Sequence, residues 1–215
     1  MQKRKFVGIL VIVALVLFVQ PFVQPALASI NGSTGLINIP TAGTLAESNL
    51  IVSYHHFKGS GTIALTMGVF NGVEVGVSSR LRTGEPLNGN LKVKLLQETS
   101  TVPAFAVGLE TYMGTPMYYG VLSKQIGAAG VRGHIGIGTG KYRHGVLGIS
   151  AVLNPVTISS VNKSLKVPVT TLIAEYDGSG LNTGLSFRFN SDFSGKVFVS
   201  KMKDLGFGLS YTARF

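Results

Sequence analysis

From Ser29 onward apolar and polar residues alternate in short runs broken by Gly, Asn, Asp and Pro, and no stretch repeats at the helical period. In Phe207–Phe215 the residues Phe207, Leu209, Tyr211, Ala213 and Phe215 share one face, and Gly208, Ser210, Thr212 and Arg214 share the other. Leu185–Phe189 and Val73–Ser78 divide in the same way. The pattern predicts about twelve strands (a range of about 10–14), centred on Asn49–Phe57, Thr62–Val69, Val73–Arg82, Leu91–Gln97, Pro103–Tyr112, Met117–Ile126, Val131–Thr139, Val146–Leu153, Val167–Tyr176, Asn182–Asn190, Lys196–Lys201 and Gly206–Phe215.

Turn chemistry fixes two registers, because a slip of one residue carries the whole apolar set of a strand to the wrong face. At Phe70-Asn71-Gly72 a two-residue loop would set Val69 against Glu74, mixing apolar with polar. A three-residue loop with left-handed Gly72 and a bulge instead sets Val69 against Val73, Met67 against Val75 and Leu65 against Val77. At Asp177-Gly178-Ser179-Gly180, a Gly178-Ser179 loop pairs Tyr176 with Leu181, Ala174 with Thr183 and Leu172 with Leu185, leaving Glu175 with Asn182 and Thr171 with Ser186 on the opposite face.

The first residues change the setting. Lys3-Arg4-Lys5, an apolar stretch from Phe6 to Val23 and Pro25-Ala26-Leu27-Ala28 follow the order of a secretory signal peptide, assigned to residues 1–28. An uncleaved anchor helix is the alternative, disfavoured by Pro21, Pro25 and the Ala-x-Ala ending. Residues 29–48 then form an N-terminal segment, either periplasmic or a plug, and residues 49–215 the strands. There is no cysteine, so neither a disulfide framework nor a thiolate metal site is available. Only 13% of residues are charged, Gly numbers 28, and past residue 28 no apolar run is long enough for a membrane helix. A membrane barrel reconciles these facts, since its strands need only alternate apolar-out and polar-in. The expected fold is therefore all-β: an antiparallel up-and-down transmembrane β-barrel with short turns, in the cell outer membrane and in contact with its lipid. The net charge of +10 suits anionic glycans or lipid head groups better than nucleic acid in an exported protein.

The polar face carries Glu74, Arg80, Arg82, Lys92, Lys94, Glu110, Glu175 and Arg188, with more cations than anions. These can pair and rigidify a narrow lumen, or line a weakly anion-selective passage or a groove for acidic sugar polymer; the narrow bore of twelve strands favours pairing. Tyr54, Phe57, Phe70, Tyr112, Tyr118, Tyr119, Tyr176 and Phe193 fall near strand ends, as interface girdles do. Catalytic patterns are poor. Gly133–Lys141 lacks the first Gly and the final Ser/Thr of a phosphate loop. His55 and His56 point to opposite faces, and His134 and His144 have no Cys or carboxylate at ligand spacing, so neither a metal nor a cofactor is expected. Ser53 with His55 is the nearest approach to a nucleophile and base, but in strands rich in Ser and Thr such pairs arise by chance, and the chain reads as a non-enzyme.

Two segments are more specific: Gly32-Ser-Thr-Gly35-Leu-Ile-Asn-Ile-Pro40-Thr-Ala42, and Glu175-Tyr-Asp-Gly178-Ser-Gly-Leu-Asn182-Thr-Gly184-Leu-Ser-Phe-Arg188-Phe189. Both resemble the YjbH-like family of outer-membrane proteins associated with exopolysaccharide production. The resemblance implies an outer-membrane barrel accessory to export or surface anchoring of polysaccharide, with an anionic polysaccharide as candidate partner. A structural barrel with a plugged lumen and a secreted soluble barrel that binds an apolar ligand are the alternatives. The alternate apolar residues Leu209, Tyr211 and Phe215 at the carboxyl end resemble the signal read by the barrel assembly machinery. Removing Phe215 is expected to lower the amount of protein in the outer-membrane fraction; an unchanged amount would contradict that role.

Overall fold

The computed structural model describes residues 28–127, 130–154 and 167–215. Twelve antiparallel strands close into a barrel: β1 Asn49–Phe57, β2 Ser60–Phe70, β3 Val73–Arg80, β4 Asn88–Leu96, β5 Ala104–Tyr112, β6 Thr115–Gln125, β7 Val131–Gly138, β8 Val146–Val152, β9 Val169–Tyr176, β10 Leu181–Arg188, β11 Phe193–Ser200 and β12 Asp204–Arg214. Each strand pairs with its neighbours in sequence, and β12 returns to β1 in an unbroken register from Asn49 opposite Arg214 to Phe57 opposite Gly206. Closure removes both edges, so every strand has a ladder on either side. The proposed signal peptide falls on residues 1–27 and Ala28, of which 1–27 lie outside the described residues, as do residues 155–166 between the predicted strands Val146–Leu153 and Val167–Tyr176.

The two-residue period sorts the wall as the sequence predicts. Ile63, Leu65 and Met67 of β2 are exposed outward while Ala64 and Thr66 are buried inward. On β7, Ile135 and Ile137 stand outside and His134 and Gly136 inside. Leu209 and Tyr211 lie on the outer face, and Phe215, exposed beyond β12, donates its N–H to Ser48 O at 3.0 Å. An exterior of leucine, isoleucine, valine and phenylalanine around the whole wall is the reverse of a water-soluble protein, in which such residues fill the interior.

The β9–β10 register is the one derived from the Asp177–Gly180 turn at every pair, Tyr176 opposite Leu181 and Glu175 opposite Asn182 included. At β2–β3, Met67 faces Val75 and Leu65 faces Val77 as expected, and Gly72 has φ +83°. The expected Val69–Val73 pair is corrected: Phe70 takes the position opposite Val73, and the register shifts between Gly68 and Phe70. The connection is therefore the two-residue Asn71-Gly72 loop and not the expected three-residue one, and the bulge lies at Val69 on β2, the extra residue opposite β3, and not at Gly72. β11 begins at Phe193, three residues before its sequence boundary. The Asn190 carboxamide oxygen accepts the N–H groups of Asp192 (2.8 Å) and Phe193 (2.6 Å) and closes the turn early.

Two members of the predicted aromatic girdle belong inside. Tyr119 is buried in the lumen, since its neighbour Tyr118 already takes the outward position, and Phe57 turns inward to pack on Phe198 at 5.8 Å between ring centres. The interior also has an apolar core made largely by residues that precede β1. Ile30, Leu36, Ile37, Ile39 and Ala42 pack with Tyr119, Val121, Tyr142, Val146, Ile173 and Phe198. Inward glycines make room for them: a Cβ on Gly148 would come within 2.6 Å of Leu36 and 2.7 Å of Ile39, and one on Gly68 would strike the Ala46 carbonyl.

Gly178 and Gly114 both sit in turns with left-handed backbone, φ +87° and +78°. A Cβ on Gly178 would lie 2.5 Å from the Lys141 carbonyl oxygen, whereas one on Gly114 meets nothing within 4 Å. Both Gly→Ala changes carry the left-handed cost of about 1 kcal/mol or more, and Gly178→Ala is expected to lower the urea unfolding midpoint further than Gly114→Ala does. Equal midpoints would mean that the β7–β8 and β9–β10 turns do not pack together.

Candidate functional site

Residues 28–45 enter the barrel as a chain with almost no regular structure, folded by two isolated bridges, Ala28–Thr34 and Gly35–Pro40. A few bonds are internal, such as Ile30 N–H to Ile37 O and Leu36 N–H to Ile39 O, both at 2.9 Å. The remaining backbone groups are buried in a space with neither a sheet ladder nor bulk water, and each one left unpaired would cost about 1–3 kcal/mol. The wall supplies partners. Carboxylates accept from the plug's N–H groups, and lysines donate to its carbonyls.

Glu74 on β3 accepts the N–H of Thr34 (2.9 Å) and of Leu45 (2.8 Å) and contacts the Thr34 hydroxyl at 2.8 Å. Lys92, its neighbour on β4, stands 3.1 Å from Glu74 with both side chains fully buried, and donates to Thr34 O at 2.6 Å. Register makes this pair, because Glu74 and Lys92 are directly opposite across β3–β4. Glu175 on β9 accepts from Ile37 N–H (2.9 Å), Asn38 N–H (2.7 Å) and the Asn182 amide (3.0 Å). Glu110 on β5 accepts from the Ser33 hydroxyl (3.2 Å) and from Lys141 (2.8 Å).

The other predicted charges sit elsewhere. Arg80 is half-buried at the end of β3 and bonds Glu85 at 3.3 Å. Arg82 is exposed in the turn beyond β3, where its left-handed backbone, φ +65°, ends the strand's alternation. Lys94 and Arg188 are half-buried towards the end of the barrel that carries the C-terminus. These four are not brought to the plug; Glu74, Lys92, Glu110 and Glu175 are.

Several plug contacts were not anticipated. Lys196 on β11 is buried and donates to Ala28 O at 2.9 Å and to Leu36 O. Its signal was available, since Lys196 alternates with Phe198 and Ser200 on the polar side, but the predicted strand only began there. Lys141 comes from the single 3₁₀ turn Gly140–Tyr142 in the β7–β8 connection, which strand periodicity does not reach. Ser123 accepts from Ala42 N–H and contacts His134 Nδ1, both at 2.8 Å, so His134 serves the plug through Ser123. Ser53 and His55 are both buried on the inner face of β1, and neither Ser53 Oγ nor His55 Nδ1 has a hydrogen-bond partner among the described residues.

At the mouth of the barrel opposite the C-terminus, Asp177 accepts from the side-chain amides of Asn38 and Asn182, both at 3.0 Å. Burial acts to raise its carboxyl, but bonds from Asn182, from the Ser179 hydroxyl and N–H and from Asn38 outweigh it and hold the group below its ordinary value. Glu175 and Asp177, both bonded by Asn182, thus grip Ile37 and Asn38. The two distinctive sequence segments, far apart along the chain, are one contact.

The family model YjbH, described as "Exopolysaccharide biosynthesis protein YbjH", matches residues 28–157. The chain belongs to the YjbH family. The match includes the plug and the strands bearing Glu74, Lys92 and Glu110. Among solved structures the chain is similar to one titled "KdgM porin", with a TM-score of 0.53 and 12% identity over 78% of this chain and 99% of that one, a likeness of fold. No curated protein matches the chain in sequence.

Removing one member of the buried Glu74–Lys92 pair leaves the other charged and unpaired, at about 3–5 kcal/mol. Glu74→Ala and Lys92→Met are each expected to lower stability on that scale in urea, and Glu74→Ala to speed amide exchange at Thr34 and Leu45. The double variant should cost less than the sum of the two. A full sum would mean that the two residues act independently.

Proposed function

We propose that this YjbH-family protein is an outer-membrane β-barrel, delivered by its signal segment and the barrel assembly machinery, that serves export or surface anchoring of exopolysaccharide as a plugged accessory rather than as an open pore. The plug is the observation that carries the second half of this reading: residues 28–45 occupy the lumen and bond to the wall through Glu74, Lys92, Glu110, Ser123, Glu175 and Lys196. The apolar exterior, strands of 7–11 residues and the porin-like fold support the membrane setting, and the family description supports the polysaccharide. The same outward leucines and isoleucines speak against a secreted soluble barrel. A plugged barrel with a purely structural role is the second reading, which the plug itself favours.

In planar bilayers the refolded protein is expected to give little or no single-channel conductance, and a variant lacking residues 29–45 discrete openings; conductance from the intact protein would overturn the plugged reading. Deleting the gene should reduce surface polysaccharide. Unchanged polysaccharide would leave the structural role alone.

A further inference from the structure

The mouth of the barrel opposite the C-terminus opens into a bowl of about 830 Å³, a size typical of small-molecule sites. Its floor is the plug: Ile30, Asn31 and Asn38 line it. Whatever enters therefore docks against the floor.

The lining is built for hydrogen bonding. Asn31 donates its amide nitrogen to Glu110 at 3.4 Å and Asn38 its own to Asp177 at 3.0 Å. Those bonds orient both carboxamides, and each keeps an oxygen able to accept a hydroxyl proton. Tyr112, exposed on the rim at the end of β5, offers a flat apolar ring with a polar tip.

Charge then selects the ligand. Lys58, Arg80, Lys141 and Lys201 line the bowl against Glu85 and Asp177. Arg82, Arg143 and Lys203 sit in turns at the same end. Three of the lining cations are engaged, Lys58 with Asp204 at 3.2 Å, Arg80 with Glu85 at 3.3 Å and Lys141 with Glu110 at 2.8 Å. Lys201 has no ion-pair partner among the described residues, and its backbone is fixed by donation to Asn182 at 2.9 Å. An excess of cations around a concave mouth concentrates anions there.

We propose that this bowl is a docking site for an acidic saccharide, with the Lys201 ammonium on a sugar carboxylate, the Asn31 and Asn38 amide oxygens on ring hydroxyls, and Tyr112 under the apolar face of a pyranose. The proposal rests on the polysaccharide reading above and names where such a chain is held: at a blind mouth, by its acidic groups.

The test is calorimetric titration of the refolded full-length barrel in detergent with a mannuronate tetramer and with cellotetraose. The acidic tetramer is expected to bind, with affinity falling as salt is added, and cellotetraose to bind at least tenfold more weakly. Lys201→Glu and Tyr112→Ala, both on the rim and each checked for folding by heat-modifiable gel migration, should each weaken the acidic tetramer at least tenfold. Arg214→Gln at the far end should leave it unchanged. Equal affinity for cellotetraose, no binding of either sugar, or loss of affinity in Arg214→Gln to the same extent would overturn the site. Failure to bind while gene deletion still lowers surface polysaccharide removes the bowl alone; intact binding with unchanged polysaccharide removes the export role alone.

Discussion

Inside a closed barrel, backbone that is neither helix nor strand has nowhere to place its hydrogen bonds except on the wall. Residues 28–45 obey that constraint at close quarters. Glu74 and Glu175 together accept four plug N–H groups, and Lys92 and Lys196 donate to plug carbonyls. The charges are thus used twice, once against the plug and once against each other, as at Glu74 and Lys92. A burial that would be prohibitive for a lone charge becomes tolerable because Glu74 and Lys92 are both paired and hydrogen-bonded, and Glu175 and Lys196 are hydrogen-bonded to the plug.

The rest of the interior follows from making room for that segment. Glycines at 68 and 148 lie where any side chain would collide with it, and the larger inward residues Tyr119, Val121, Ile173 and Phe198 close around its isoleucines. The wall is therefore asymmetric in chemistry. The outside is predominantly apolar, and the inside is a mosaic of charge, hydroxyl and apolar surface cut to one peptide. What remains open is a bowl whose floor is that peptide, so the plug both closes the lumen and shapes the surface presented at the mouth.

The legible part of this arrangement was local. Leu65, Met67, Val75 and Val77 alternate with polar residues, and the Gly178-Ser179 turn pins the β9–β10 register, so strands, faces and the inward set Glu74, Lys92, Glu110 and Glu175 could be read along the chain. Tyr119 and Phe57 could have been placed inward by the same alternation, had strand-end position not been given more weight than register. Val69 shows the limit of turn chemistry: the bulge depends on how two strands share a bend, which the turn residues do not specify alone.

What the sequence by itself determined is the barrel, because a period of two and a handful of turn residues act over a few positions and need no distant partner. Only the tertiary structure decided that residues 28–45 are the plug, that Lys141 leaves its 3₁₀ turn to reach Glu110, and that Glu175 holds Ile37 across 138 residues of chain. Those contacts join segments with no shared periodicity. They exist because barrel closure brings the wall around one peptide whose backbone had to be satisfied.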